Sequence, residues 1–188
     1  MKTFKQLAVL VIFTIFATSC KSDDPEPVNE EEVITTLTVT LTPQGGGTAI
    51  TFKSFDLDGT DGPNPPVITP SSITLDANTT YVGVTKVENE TEDPAENITL
   101  EVLEEDEEHQ FFYTASSSLG TATYTDTDSD GNPIGVAFTF RTADATSGNL
   151  TVTLIHEPAK SANGVKAGSI ANAGGETDVE AVFPITVQ

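Results

Sequence analysis

From about residue 33 onward, apolar side chains recur at every second position. Leu37, Val39 and Leu41 alternate with Thr36, Thr38, Thr40 and Thr42. This is the period of a strand with one dry face and one threonine-rich wet face. The stretch 43–47, with three consecutive glycines, predicts a turn, and 49–55 returns as a second strand, so the two form a hairpin. A long loop rich in Asp, Gly and Pro follows over 56–70. Further strands are predicted over 72–75, 80–87, 110–114, 121–125, 134–141, 149–155 and 179–187. Pro184 lacks an amide hydrogen, which places the closing strand at an edge or at a bulge.

One stretch departs from this rhythm. Asp93, Pro94 and Glu96 supply an N-cap residue, a proline at the first helical position and an acid at the third. Ile98, Val102 and Leu103 then fall on one face, so the spacing predicts a helix of about three turns over 94–105. The rival reading is a strand over 98–102, which also alternates. Eight or nine short strands with one helix make an all-β, antiparallel β-sandwich. An open α/β sheet would need a helix between most strands.

The first 33 residues read differently. Lys2 and Lys5 precede an apolar run over 7–16, and small residues close it at Cys20. Basic, then apolar, then small is the plan of a secretory signal. The run is shorter than the ~20 apolar residues of a membrane-spanning helix. The only cysteine of the chain stands where cleavage would leave it first. The rival is an ordinary cleaved signal with a chance cysteine. The expected organisation is a signal over 1–19, Cys20 with an acidic linker over 20–33, and the sandwich over 34–188. The linker is charged, rich in proline and free of aromatics, so it has little to bury.

Charge and cysteine usage narrow the chemistry. The chain carries 29 acids against 8 Lys and Arg, a formal charge of -21. Cleavage before Cys20 removes Lys2 and Lys5 and no acid, which takes the charge from -21 to -23. Such a surface repels nucleic acid and favours cations. With Cys20 acylated, no thiol remains for disulfides or thiolate metal sites. The catalytic signatures Gly-x-Ser-x-Gly and His-Glu-x-x-His are absent, as is a phosphate-cradling glycine loop. A non-enzymatic role is expected.

Three candidate sites follow. Asp126, Asp128 and Asp130 alternate ahead of Gly131 and Asn132, a hard-oxygen loop suited to Ca²⁺. The bland reading is an Asp/Gly hairpin turn. Asp56, Asp58 and Asp61 offer the same ingredients at poorer spacing. The third candidate is the pair His109 and His156, each at the edge of a predicted strand and beside acids. Two imidazoles with carboxylates are a donor set for Zn²⁺, Cu²⁺ or Ni²⁺, and each could also serve haem. A His at a strand end is otherwise an ordinary polar rim residue.

Three resemblances add to this. The stretch ending at Cys20 resembles a bacterial lipobox, with Ala17 in place of the more usual Leu. Lys21 to Asp24 resembles the signal that carries Bacteroidota lipoproteins to the outer face of the outer membrane. Residues 94–98, 109–113, 126–135, 156–158 and 174–178 together resemble a set of small Bacteroidota lipoproteins often labelled "type 1 periplasmic binding fold". That label implies a two-lobed α/β binder, whereas this chain is too short for two such lobes and alternates in antiparallel style. The resemblance implies a lipid anchor at Cys20, a cell-surface position on the outer membrane and a role assisting a TonB-dependent receptor in nutrient or metal uptake. The alternative is a structural or adhesive surface sandwich with Ca²⁺-stiffened loops.

Overall fold

Ten strands and one short helix form in the computed structural model, which describes residues 32–59, 62–116 and 118–188. The chain divides into Met1–Glu30 and a unit spanning Glu31–Gln188. The expected signal segment and the lipid anchor expected at Cys20 lie outside the described residues. Among the described residues no helix is long and apolar enough to cross a membrane.

The strands are β1 (Thr36–Pro43), β2 (Ile50–Phe55), β3 (Val67–Thr69), β4 (Ile73–Leu75) and β5 (Thr80–Glu88). After helix α1 (Thr99–Glu104) come β6 (His109–Ala115), β7 (Gly120–Tyr124), β8 (Ala137–Thr142), β9 (Thr146–His156) and β10 (Glu176–Val187). One sheet has the order β3-β2-β1-β5-β8-β7 and the other β4-β10-β9-β6. All pairings are antiparallel except β4 with β10. The all-β sandwich expected from the alternation is the fold.

The period-two pattern explains the core. Leu37, Val39 and Leu41 of β1 point inward, and the intervening threonines stay at the surface except the buried Thr36. They meet Leu150, Val152 and Leu154 of β9 and Ala181, Phe183, Ile185 and Val187 of β10 in one apolar cluster. Aromatic rings fill the middle: Phe52 meets Phe183 edge-on at 4.8 Å, and Tyr113 stacks on Phe138 at 4.0 Å. Gly83 lies opposite Phe138 in the register, and a Cβ there would collide with the Phe138 ring. The glycine is what lets the ring lie across β5. A smaller cluster of Phe112, Ile155, Val165 and Ala173 lies on the other face of β6 and β9, covered by the loop after His156.

Two expectations need correction, on the helix and on the loop, and the expected bulge in the closing strand is present. The helix covers Thr99–Glu104 and not 94–105. Asn89 and Glu96 instead exchange both backbone hydrogen bonds, at 3.0 Å each. That bridge commits Pro94 and Ala95 to the turn that closes it. The Thr99 hydroxyl, bonded to Val87, then fixes the helix start against β5. The loop over 56–70 contains a strand, β3, which brings the count to ten among the described residues. β10 is interior where β4 flanks it, but β4 pairs only with Ile185–Val187. Pro184 thus has a strand on one side alone, where a missing N–H is tolerated. The bulge lies further back, between Thr177 and Val179.

Candidate metal centre

His109 opens β6 and His156 closes β9, and the two are direct register partners. Alternation puts His109 on the same face as Phe111 and Tyr113, and His156 on the same face as Leu154 and Val152. The two rings therefore form the last rung of the intersheet core. They stack with centroids 4.7 Å apart and planes 21° from parallel. The histidines singled out from sequence do come together, and His109 is completely buried.

Two carboxylates face His109 from other parts of the chain. Glu32 Oε1 lies 3.6 Å from its Nε2, and Asp178 Oδ2 lies 3.8 Å from the same atom. Glu32 lies four residues ahead of the start of β1. Asp178 occupies the bulge of β10, because Thr177 pairs with Ile155 and Val179 with Leu154. A bulge carries one extra residue and re-aims its side chain. In a regular strand position 178 would share the outward phase of Glu180 and Val182. The bulge turns it toward His109 instead. Neither residue stood among the predicted site residues. Glu32 read as the tail of the acidic linker. Asp178 stood just ahead of the closing strand predicted over 179–187, with Gly174 and Gly175 before it as its only local signal.

The proton on His109 is placed by its other nitrogen. Nδ1 lies 3.3 Å from the backbone oxygen of Glu105, and a carbonyl can only accept. Nδ1 therefore carries the hydrogen, and Nε2 presents a lone pair to Glu32 and Asp178. Burial lowers the His109 pKa, and the neighbouring His156 adds to this, so the ring is held neutral. Nε2 has no hydrogen-bond partner, and neither does the buried Glu32 Oε2. Burial, reinforced by Asp178, Glu101 and Glu105, pushes the Glu32 carboxyl up to about 7.

This arrangement is frustrated without a cation. The three donor atoms lie within 4.8 Å of one another. With both carboxyls ionised, two unit charges that close would repel by roughly 3–4 kcal/mol at an effective dielectric of about 20. A contact of 3.6–3.8 Å is too long for a hydrogen bond. It suits two donors on one ion, since ligands each about 2.1 Å from a metal are ~3–4 Å apart. A neutral imidazole whose second nitrogen donates to a backbone carbonyl is the usual state of a metal-bound histidine. The residues fit a divalent transition ion with one nitrogen and two oxygen donors.

A second group lies behind the first. His156 Nε2 is 3.8 Å from Glu108 Oε2, and Glu157 joins them, with both acids exposed. Gly175, at a φ of +73°, packs so tightly on the His156 carbonyl that a Cβ there would overlap it. The backbone thereby fixes the end of β9.

The predicted calcium loops are built otherwise. Asp126 accepts backbone N–H bonds from Gly135 at 2.8 Å and Ala137 at 2.7 Å. Asp128 Oδ1 accepts from the backbone of Asp130 and Asn132 at 3.1 and 2.7 Å. Its Oδ2 meets the ammonium of Lys160 at 3.0 Å, in a pair buried on both sides. Lys160 also donates to the Asp106 carbonyl. Burial alone would raise the Asp128 pKa, but the Asn132 N–H and Lys160 outweigh it and hold the carboxyl below its ordinary range. Lysine and backbone donors thus stand where Ca²⁺ was expected, and Asp130 points to solvent. In the other loop, Asp58 Oδ2 accepts from Asn64 Nδ2 at 2.9 Å and from its backbone at 3.2 Å. Asp56 and Asp58 share the loop, and Asp61 lies outside the described residues. Neither loop brings three carboxylates together among the described residues.

A cleft of about 300 Å³ opens beside the first group, walled in part by Glu32, Asp178, Glu176 and Asp58. No protein-family model matches this chain, and neither a curated protein nor a solved structure does.

Proposed function

We propose that the protein is an anchored, non-catalytic binding module that captures a divalent transition-metal ion through Glu32, His109 and Asp178. The observation that carries this reading is the buried, neutral His109 Nε2, which directs an unpartnered lone pair at two carboxylates. Imidazole with oxygen donors suits Zn²⁺, Cu²⁺ and Ni²⁺, with Cu²⁺ expected to bind most tightly. The anchor is lipid on Cys20, which places the module at the outer-membrane surface. Its partner is a TonB-dependent receptor to which the ion is delivered. The acidic surface supports the reading by concentrating cations and turning nucleic acid away.

The test is metal analysis and calorimetry of the full-length protein in detergent. One tight site for Zn²⁺, Cu²⁺ or Ni²⁺ is expected, lost by at least 100-fold in His109→Ala. No heat with any of the three ions would end the reading. The anchor is tested separately by labelling cells with radioactive palmitate. The label should enter the wild-type chain and not Cys20→Ala. Copurification with an outer-membrane receptor would support the partner, and its absence under crosslinking would remove it.

A further inference from the structure

Three protein donors do not complete the coordination of any of these ions. Zn²⁺ with three protein ligands keeps one open position for an exogenous donor, and Cu²⁺ or Ni²⁺ keeps at least as many. Two of the three donors, Glu32 and Asp178, form part of the wall of the cleft of about 300 Å³. That cleft shares Ile34 and Thr35 with a second one of about 400 Å³, lined by Leu37, Pro63, Pro65 and Val179. Each volume falls in the range of small-molecule sites, roughly 300–1,000 Å³. A bare ion needs no such space.

The second cleft also carries a half-met polar group. Asp56 lines it, and although its carboxyl interacts with the backbone of Asp58 and Gly59, its Oδ1 is buried with no hydrogen-bond partner. Asp56 is tied to the first cleft by its backbone N–H, which donates to the Thr35 carbonyl at 2.8 Å. Thr35 is three residues beyond Glu32, at most about 10 Å of extended chain. The charged residues lining the two clefts are all acids, among them Asp58, Glu176 and Glu180. Such walls repel an anionic ligand and admit a neutral or cationic one.

Building on the metal reading above, we propose that the ion is captured as a chelate carrying a small uncharged or cationic organic ligand. That ligand fills the open coordination position, lies across the two adjoining clefts and donates an N–H or O–H hydrogen bond to Asp56.

The probes are Zn²⁺ alone and L-histidinamide, a cationic chelator with a free amide N–H, with citrate as the anionic comparison. Full-length protein in detergent is loaded with Zn²⁺ and titrated with each chelator. Histidinamide is expected to bind the zinc-loaded protein and at least tenfold more weakly the apo protein, whereas citrate only strips the metal. Asp56→Ala and the cleft-occluding Leu57→Trp should each weaken histidinamide binding at least tenfold and leave affinity for Zn²⁺ alone within twofold. If Asp56→Ala melts early, Leu57→Trp carries the test alone. Zinc binding without a ternary complex, or a ternary complex indifferent to the folded variants, would overturn the chelate and leave the metal centre standing. No zinc binding would overturn both.

Discussion

The loop from Asp126 to Asn132 and the end of the sandwich around His109 both gather carboxylates, and they dispose of that charge in opposite ways. In the loop each inward oxygen has a donor. Asp126 holds two backbone N–H groups, and Asp128 holds two more together with the Lys160 ammonium. At the other end the oxygens of Glu32 and Asp178 face a nitrogen with no hydrogen to give. The lesson concerns bookkeeping of donors and not density of acids. An acid cluster invites an ion only where a group such as Glu32 Oε2 or His109 Nε2 is buried without a hydrogen-bond partner.

The largest effect should come from the satisfied region. Lys160 and Asp128 are almost fully buried, and removing one member of such a pair strands the other charge. Lys160→Met is expected to cost about 3–5 kcal/mol, read by urea unfolding of metal-free protein. The loss should not be recovered by adding Ca²⁺, because the loop geometry rests on N–H donors as well. A cost below about 1 kcal/mol would mean that Asp128 is solvated, and the contrast between the two regions would fade.

The unsatisfied region should respond with opposite signs in its two states. His109→Leu removes a buried nitrogen that lacks a partner, a defect worth about 1–3 kcal/mol. The metal-free variant should therefore be as stable as wild type or more so. Its affinity for Zn²⁺ should fall at least 100-fold, or about 2.7 kcal/mol. Destabilisation of the apo protein by several kcal/mol would show that His109 serves packing first.

Glu32 sharpens the comparison through pH. Its pKa is raised in the fold, to about 7, so the folded state holds a proton that the unfolded chain releases near 4.5. Apo stability from this group is present at acid pH and declines as pH rises from about 4.5 to about 7. His109, with its pKa lowered, opposes this on the acid side, so the informative quantity is the difference from Glu32→Gln. Wild type should lose stability relative to the variant across that window in chelator-treated samples. Zinc affinity of wild type should rise over the same range as the competing proton leaves. A parallel pair of stability curves would place Glu32 in ordinary solvent.

Much of the scaffold was legible, because one dry face imposes a period of two. The β1–β2 hairpin, the alternation of β9 and the strand-end positions of both histidines could be read from residues alone. Their partners could not. Glu32 looks like the last acid of a tether, and only tertiary packing against His109 makes it part of the domain. Asp178 faces inward because of a bulge, and a bulge breaks the very periodicity by which strands are recognised. The helix was overextended for a related reason. Asp93, Pro94 and Glu96 carry the local chemistry of a helix start, but the bridge from Asn89 to Glu96 claims that backbone first.

The smallest expected effect is the one that separates the two regions most cleanly. Asp130 is exposed, and among the described residues its side chain makes no hydrogen bond or ion pair. If the loop held Ca²⁺, Asp130 would be a ligand and its loss would be felt. On the present geometry Asp130→Asn changes an ordinary surface charge, so stability should stay within about 0.5 kcal/mol of wild type. Millimolar Ca²⁺ should leave the melting temperature of both proteins unchanged, while Zn²⁺ raises it in both to the same degree. Binding to the native state alone stabilises in proportion to the logarithm of ligand over Kd, about 2.7 kcal/mol at 100-fold excess, so a real calcium site could not stay hidden. A calcium-dependent rise lost in Asp130→Asn would mean that the ion displaces Lys160 from Asp128, and the loop would then be a second cation site with its own resident competitor.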